Sequence, residues 1–207
     1  MTYTRRLFCL ALMLLTAAPV LNGPVLATPV PLDALSRYLN GLTTAETTFR
    51  QINPDGTSSS GRVIIQRPGR MRFEYAKPDR TLVLASAGQV AIFDPKSNQP
   101  PEQYPLAKTP LNLILGDKVD LQNAKMVVDH HEEGALTLVT AQDPAHPDYG
   151  TIELGFSQNP VALRQWVVTD GSGAQTIVLL DTLTTGQSYS PFLFSISDET
   201  EKRIKKK

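Results

Sequence analysis

The sequence predicts a mainly β domain built on one strongly curved antiparallel sheet or barrel, and three observations predict it. Short runs rich in β-branched and aromatic residues recur at intervals of roughly ten residues. Turn clusters separate them: Asn53-Pro54-Asp55-Gly56, Arg67-Pro68-Gly69, Lys77-Pro78-Asp79, Ala87-Gly88, Asp94-Pro95 and Glu132-Glu133-Gly134. Helical signals are confined to two short segments.

The first helical signal is Leu32, Leu35, Leu39 and Leu42, which recur at helical spacing with Pro31 at the start and Gly41 near the end. This predicts an amphipathic helix over 31–42. Candidate strands follow at 45–52, 61–67, 71–76, 81–86, 89–94, 125–131, 135–141, 150–157, 162–170 and 175–182, with a last short one at 192–195. Hairpin-length links between so many strands call for a curved sheet or a barrel.

The meander is interrupted over 98–120, where Pro100, Pro101 and Pro105 are expected to break pairing. Thr109 as N-cap, Pro110 at the first helical position and Gly116 just past the end describe a second, short helix. Its Leu111, Leu113, Ile114 and Leu115 are too apolar for a solvated surface helix. They must lie on an apolar face or at the mouth of the sheet.

The 207-residue chain begins with Arg5 and Arg6, an apolar run from Leu7 to Leu15, and a small-residue site ending at Ala27. That order is a secretory signal peptide over 1–27, leaving one domain over 28–207. The single cysteine, Cys9, leaves with the leader, so the mature chain has no disulfide and no cysteine metal site. With 20 basic and 20 acidic residues overall, no basic stripe suggests nucleic acid. The basic tail at 199–207, ending Lys202-Arg203-Ile204-Lys205-Lys206-Lys207, is expected to be a frayed, solvated terminus; contact with an anionic membrane surface is the alternative.

Two strands carry the ligand argument. Met71, Phe73 and Tyr75 alternate with Arg70, Arg72 and Glu74, and Ile152, Leu154 and Phe156 alternate with Thr151, Glu153 and Ser157. Each buries one face and wets the other. Two short helices are a thin cover for the concave side, which leaves a partly unfilled apolar cavity or a closed, well-packed core. At the Arg67-Pro68-Gly69-Arg70 hairpin, a three-residue loop from Pro68 to Arg70 would pair Arg67 with Met71, Ile65 with Phe73 and Val63 with Tyr75. That register gathers Val63, Ile65, Met71, Phe73 and Tyr75 on one face and sets Arg67 there too. Its guanidinium then needs acceptors, such as free carbonyls at a helix end, or snorkels to the rim.

Phe49-Arg50-Gln51, Gly61, the stretch Gln66-Arg67-Pro68-Gly69-Arg70-Met71-Arg72-Phe73-Glu74-Tyr75, Pro78, Gly88, Phe93-Asp94-Pro95 and Thr109-Pro110-Leu111 stand in the order of the landmarks of the LolA family. The chain resembles that family over nearly its whole mature length. The resemblance implies an incomplete, unclosed antiparallel β-barrel with a short helical lid, as in LolA and LolB. It implies a periplasmic carrier of lipoprotein acyl chains, a monomer without cofactor, loaded by an inner-membrane lipoprotein-releasing ABC transporter and unloaded by an outer-membrane lipoprotein receptor. It also implies that Arg67 latches the lid by hydrogen bonds to lid backbone, that Met71 faces the cavity, and that Phe73 stands where tryptophan is common. Two features depart from the family: no proline follows Phe192-Leu193-Phe194, and the basic tail is unusual. A periplasmic sensor of lipids or lipoproteins and a shuttle for another outer-membrane lipid are the alternatives.

Other constellations point elsewhere than catalysis. His130 and His131 are adjacent, so on a strand they face opposite ways and do not chelate one ion. They read as a solvated strand end. No Gly-x-Ser-x-Gly or phosphate-binding glycine loop occurs. Trp166 reads as packing, and Asp55-Gly56 and Asp170-Gly171-Ser172-Gly173 read as turns.

Overall fold

The computed structural model describes residues 28–122 and 125–205. The signal peptide expected over 1–27 and the last two lysines lie outside the described residues. Among those described, 12 strands form one antiparallel sheet. They are β1 (Thr44–Ile52), β2 (Ser58–Gln66), β3 (Arg70–Tyr75), β4 (Leu82–Ser86), β5 (Gln89–Phe93), β6 (Glu102–Pro105), β7 (Val127–Glu133), β8 (Leu136–Gln142), β9 (Thr151–Gln158), β10 (Val161–Thr169), β11 (Gln175–Leu180) and β12 (Thr184–Thr185).

Their spatial order is β6-β5-β4-β3-β2-β1-β11-β10-β9-β8-β7, with β12 on β1. Every neighbour on that path is a hairpin partner except β1 and β11, which join the two halves. The edge strands β6 and β7 do not pair, so the barrel is unclosed. The connection between those two edges carries a 3₁₀ turn (Leu106–Lys108) and the one-turn helix α2 (Asn112–Leu115). Helix α1 (Leu32–Gly41) precedes the sheet and buries Leu35, Ser36 and Leu39.

The alternation in the sequence sorts the two faces. Phe49, Val63, Ile65, Met71, Phe73, Ile152, Leu154, Phe156, Leu163, Trp166 and Val178 form one buried cluster with Leu35, Leu39, Ile114 and Leu115 of the helices. Burying a single such side chain contributes about 1.5–3 kcal/mol. A smaller cluster, Leu82, Leu84, Ala91 and Phe93, lies on the other face of β4 and β5.

Four expectations are corrected. First, the β2–β3 hairpin pairs Ile65 with Met71, Val63 with Phe73, Gly61 with Tyr75 and Gln66 with Arg70. The loop is therefore Arg67 to Gly69 and not Pro68 to Arg70. Gly69 turns the chain at φ +69, and the Arg67 amide extends the β1–β2 register by one residue, donating to Thr43 O at 2.8 Å and not across the hairpin. A shift of two residues preserves parity, so the same side chains still share a face.

Second, β6 forms between Pro101 and Pro105 because it is an edge, paired on one side only with β5, where a missing N–H is tolerated. Third, 192–195 is not a strand: a 3₁₀ turn (Pro191–Phe194) leads into helix α3 (Ile196–Ile204). Ser195 caps it by accepting from the Asp198 amide at 3.1 Å, Asp198 and Glu199 stand in its first turn, and Lys202 and Arg203 stand in its last.

Fourth, the basic tail is consequently not frayed up to Ile204. The segment after β12 straps the convex face. Tyr189 donates to Glu46 at 2.7 Å, and Glu46 also pairs with Arg62 at 2.6 Å. Those two partners hold the Glu46 carboxyl below its ordinary range. Arg72 donates to Leu193 O at 2.9 Å, Ile196 covers the smaller apolar cluster, and Arg203 stacks over Phe93 at 4.9 Å.

This strap supplies a stability test. Phe194 is 0 % exposed and Phe192 is 71 % exposed. Phe194→Ala is expected to cost about 3–5 kcal/mol and Phe192→Ala less than about 0.5 kcal/mol, read from urea unfolding. Equal small losses would mean the strap is not part of the cooperative fold.

Candidate functional site

The concave face of the sheet is an apolar interior with few polar atoms. Its aromatic rings meet edge to face: Phe49 against Phe73 at 5.2 Å, Phe73 against Trp166 at 6.1 Å, and Tyr38 of α1 against Phe156 at 5.9 Å. Of the residues expected to line it, Val63, Ile65, Met71, Phe73, Ile152, Leu154 and Phe156 are buried together. Tyr75 is half-buried at the rim of the same cluster, in edge contact with Phe49 at 5.1 Å. Its phenol donates to Gln51 Oε1 at 2.6 Å, and burial pushes its pKa up to about 12. The phenol therefore stays a donor.

Two helices plug the interior. Leu35 and Leu39 of α1 and Ile114 and Leu115 of α2 are buried against the sheet, while Leu111 and Leu113 are half-buried at the margin. The space is thus filled by the helices' own side chains. In α2 the expected Thr109 cap is absent. The helix starts at Asn112 with Leu111 at the capping position, and the Thr109 hydroxyl donates back to Leu106 O at 2.8 Å.

The β2–β3 hairpin tip holds the ends of both helices. The Arg67 guanidinium donates through Nη1 to Leu39 O, in the last turn of α1, and through Nη2 to Gly116 O, just past α2, at 2.7 Å. The Gly69 amide donates to Leu115 O at 2.8 Å. Carbonyls at a helix C-terminus are short of backbone partners and carry the negative end of the dipole; Leu39 O keeps one, the Leu42 amide at 3.2 Å, and takes the cation as a second donor. Burial lowers the Arg67 pKa, with Asp117 opposing the shift. The group nonetheless stays protonated, because a guanidinium holds its proton far above neutrality. Arg67 Nε is buried without a partner among the described residues.

The histidines take structural parts. His130 Nε2 lies 3.0 Å from Val30 O, tying the segment before α1 to β7, while His131 Nδ1 lies 2.7 Å from Asp129. His130 is thus an anchor and not merely a solvated strand end.

A family model described as outer membrane lipoprotein carrier protein LolA matches residues 40–197. The chain belongs to the LolA family. Curated LolA relatives named outer-membrane lipoprotein carrier protein include one from Methylococcus capsulatus, 25% identical over 83% of this chain and 85% of that one. Another from Coxiella burnetii is 32% identical over 67% of this chain and 70% of that one. Among solved structures, a LolA superfamily protein from Nitrosomonas europaea aligns over 80% of this chain and 98% of that one, with a TM-score of 0.41 and 9% identity.

Two polar residues of this LolA chain escaped the sequence reading. Asn40 donates through Nδ2 to Val119 O at 2.7 Å and accepts from the Val119 amide at 2.9 Å, satisfying both backbone groups of a buried residue. The Ser36 hydroxyl donates to Leu32 O at 2.7 Å and accepts from the Leu121 amide at 2.9 Å. Together they clamp α1 to the segment after α2. The one available hint was Ser36, a polar residue inside the apolar stripe of α1; Asn40 gave none.

Asn40→Ala leaves the N–H and C=O of Val119 without those partners, which costs about 1–3 kcal/mol locally. Faster amide exchange at Val119 and Leu121, with β-sheet amides unchanged, is the expected result. Unchanged exchange would show that the clamp carries no load.

Proposed function

We propose that this chain takes the acyl chains of lipoproteins into its concave interior and carries them through the periplasm, from an inner-membrane lipoprotein-releasing transporter to an outer-membrane receptor. The observation that carries this reading is that an apolar sheet face is covered by short helices and held by a handful of hydrogen bonds, not sealed by strands. The names of the LolA relatives support the cargo class.

The mechanism is physical and has no covalent step. Each methylene removed from water contributes about 0.8 kcal/mol, so sequestering part of one acyl chain is worth several kcal/mol. The interior is already packed, so cargo does not fill a void. It displaces Leu35, Leu39, Ile114 and Leu115, and the net driving force is acyl burial less the burial those side chains give up. The helix bonds from Arg67, Gly69 and Asn40, each worth roughly 1 kcal/mol net, set the threshold for opening. Burial of the Arg67 cation, with Nε unpartnered, keeps the latch from being overly stable. Unloading then needs only a receiver with a deeper apolar site, since transfer runs downhill between cavities.

Native mass spectrometry of the mature chain, purified with a defined triacylated lipoprotein, is expected to show a one-to-one complex that depends on the acyl groups. A complex with free lipids alone would redirect the reading to a lipid shuttle, and no acyl binding at all would leave the interior as a packed core. Arg67→Leu is expected to load cargo while releasing it slowly to the receptor; unchanged transfer would remove Arg67 from the mechanism. Phe73→Glu places a carboxylate among Phe49, Trp166 and Tyr75 and is expected to abolish acyl binding. Undiminished binding by the folded variant would exclude this face.

A further inference from the structure

The convex face carries a second apolar site that the interior does not use. A cleft of about 320 Å³ opens between the end of α3 and the connection following β5, walled by Phe93, Pro95, Pro100, Pro101, Arg203 and Ile204. That volume falls at the lower end of the range of about 300–1,000 Å³ seen for ligand pockets. Arg203 is held in place, stacked on Phe93 and bonded to Glu199 at 2.9 Å. Asp94, the carboxylate in the wall, is turned to its own loop, accepting from the Lys96 amide at 2.8 Å.

Beside the cleft stands Ile204, 66 % exposed, within the run Lys202-Arg203-Ile204-Lys205 that continues as Lys206-Lys207. Glu199 pairs with Arg203 and Arg72, and Glu201 with Lys205 at 3.6 Å on the exposed surface, so among the described residues Lys202 is the α3 cation outside these pairs, while Asp198 stands a turn away in the first turn of the helix. Complementing the helix dipole accounts for cations in the last turn of α3. It does not account for an exposed isoleucine among them or for an apolar cleft alongside. A surface that presents negative charge above hydrocarbon meets both requirements.

We propose that the end of α3 is an anchor for an anionic phospholipid surface, with Ile204 and the cleft taking hydrocarbon and the lysines meeting headgroup phosphates. The strap places this anchor on the opposite face of the sheet from α1 and α2. A docked molecule therefore keeps its helical plug free to move. No residue of the anchor belongs to the interior, so the two readings stand or fall separately.

Cosedimentation of the mature chain with vesicles of phosphatidylcholine, with and without phosphatidylglycerol, tests this. Binding to the phosphatidylglycerol vesicles is expected to exceed binding to phosphatidylcholine alone by at least about tenfold and to fall as salt rises. The double variant Lys202→Glu, Lys205→Glu and the single variant Ile204→Ser should each lose most of that binding. These positions are exposed, so unchanged circular dichroism is expected. Lys125→Glu, an exposed position outside α3 and its cleft, should bind the vesicles as the parent does. Equal binding to both vesicle types, full retention by both tail variants, or loss of binding in Lys125→Glu would overturn the anchor.

Discussion

An antiparallel sheet whose edge strands β6 and β7 do not meet has a concave apolar face that its own strands cannot enclose. Leaving that face in water would forfeit the largest favourable term in folding, and filling it with strand side chains alone would need a closed barrel. The chain answers with helices, and helices bring their own difficulty. Both α1 and α2 end at the mouth of the sheet, where carbonyls short of backbone partners take donors from outside the helix. The hairpin tip at Arg67 and Gly69 supplies three such donors from one point, to Leu39 O, Gly116 O and Leu115 O.

The arrangement makes cover and sheet chemically different attachments. Within the sheet, each strand is joined by a ladder of backbone bonds along its length. The cover is joined by side chains from a hairpin tip, by Asn40 and Ser36 between its own parts, and by apolar contact. Hydrophobic contact is non-directional, so one apolar surface can replace another with little loss. Hydrogen bonds are directional and few, so they fix where the cover sits. In the carrier function proposed above, this division is what allows reversible loading.

The convex face follows the same rule with a different outcome. Leu82, Leu84, Ala91 and Phe93 form a small apolar patch, and the strap from Tyr189 to Ile204 covers it with Ile196, held by an Arg72–Glu199 ion pair and one stacked arginine. Here the cover is continuous with the chain beyond β12 and tied at β1, β3 and β5 in turn. It fastens the face without giving it a lid. Only its last turn, with Ile204 outward, remains unfinished as a packing surface.

Much of this was legible from local pattern. The alternation Met71, Phe73, Tyr75 and Ile152, Leu154, Phe156 determined which side chains face inward, because the period of a strand is two and any even shift of register preserves it. That is why the face survived a misjudged hairpin loop. The spacing Leu32, Leu35, Leu39 likewise determined the buried stripe of α1. What only the tertiary structure decided are the meetings of groups distant in sequence: Arg67 with Gly116, Asn40 with Val119, Arg72 with Leu193. It also decided that a strand forms beside Pro105, because an edge position has one partner, and that 192–204 turns helical over a patch already made by β4 and β5. Periodicity records which way a side chain points, whereas the partner it finds there depends on how the whole sheet curves.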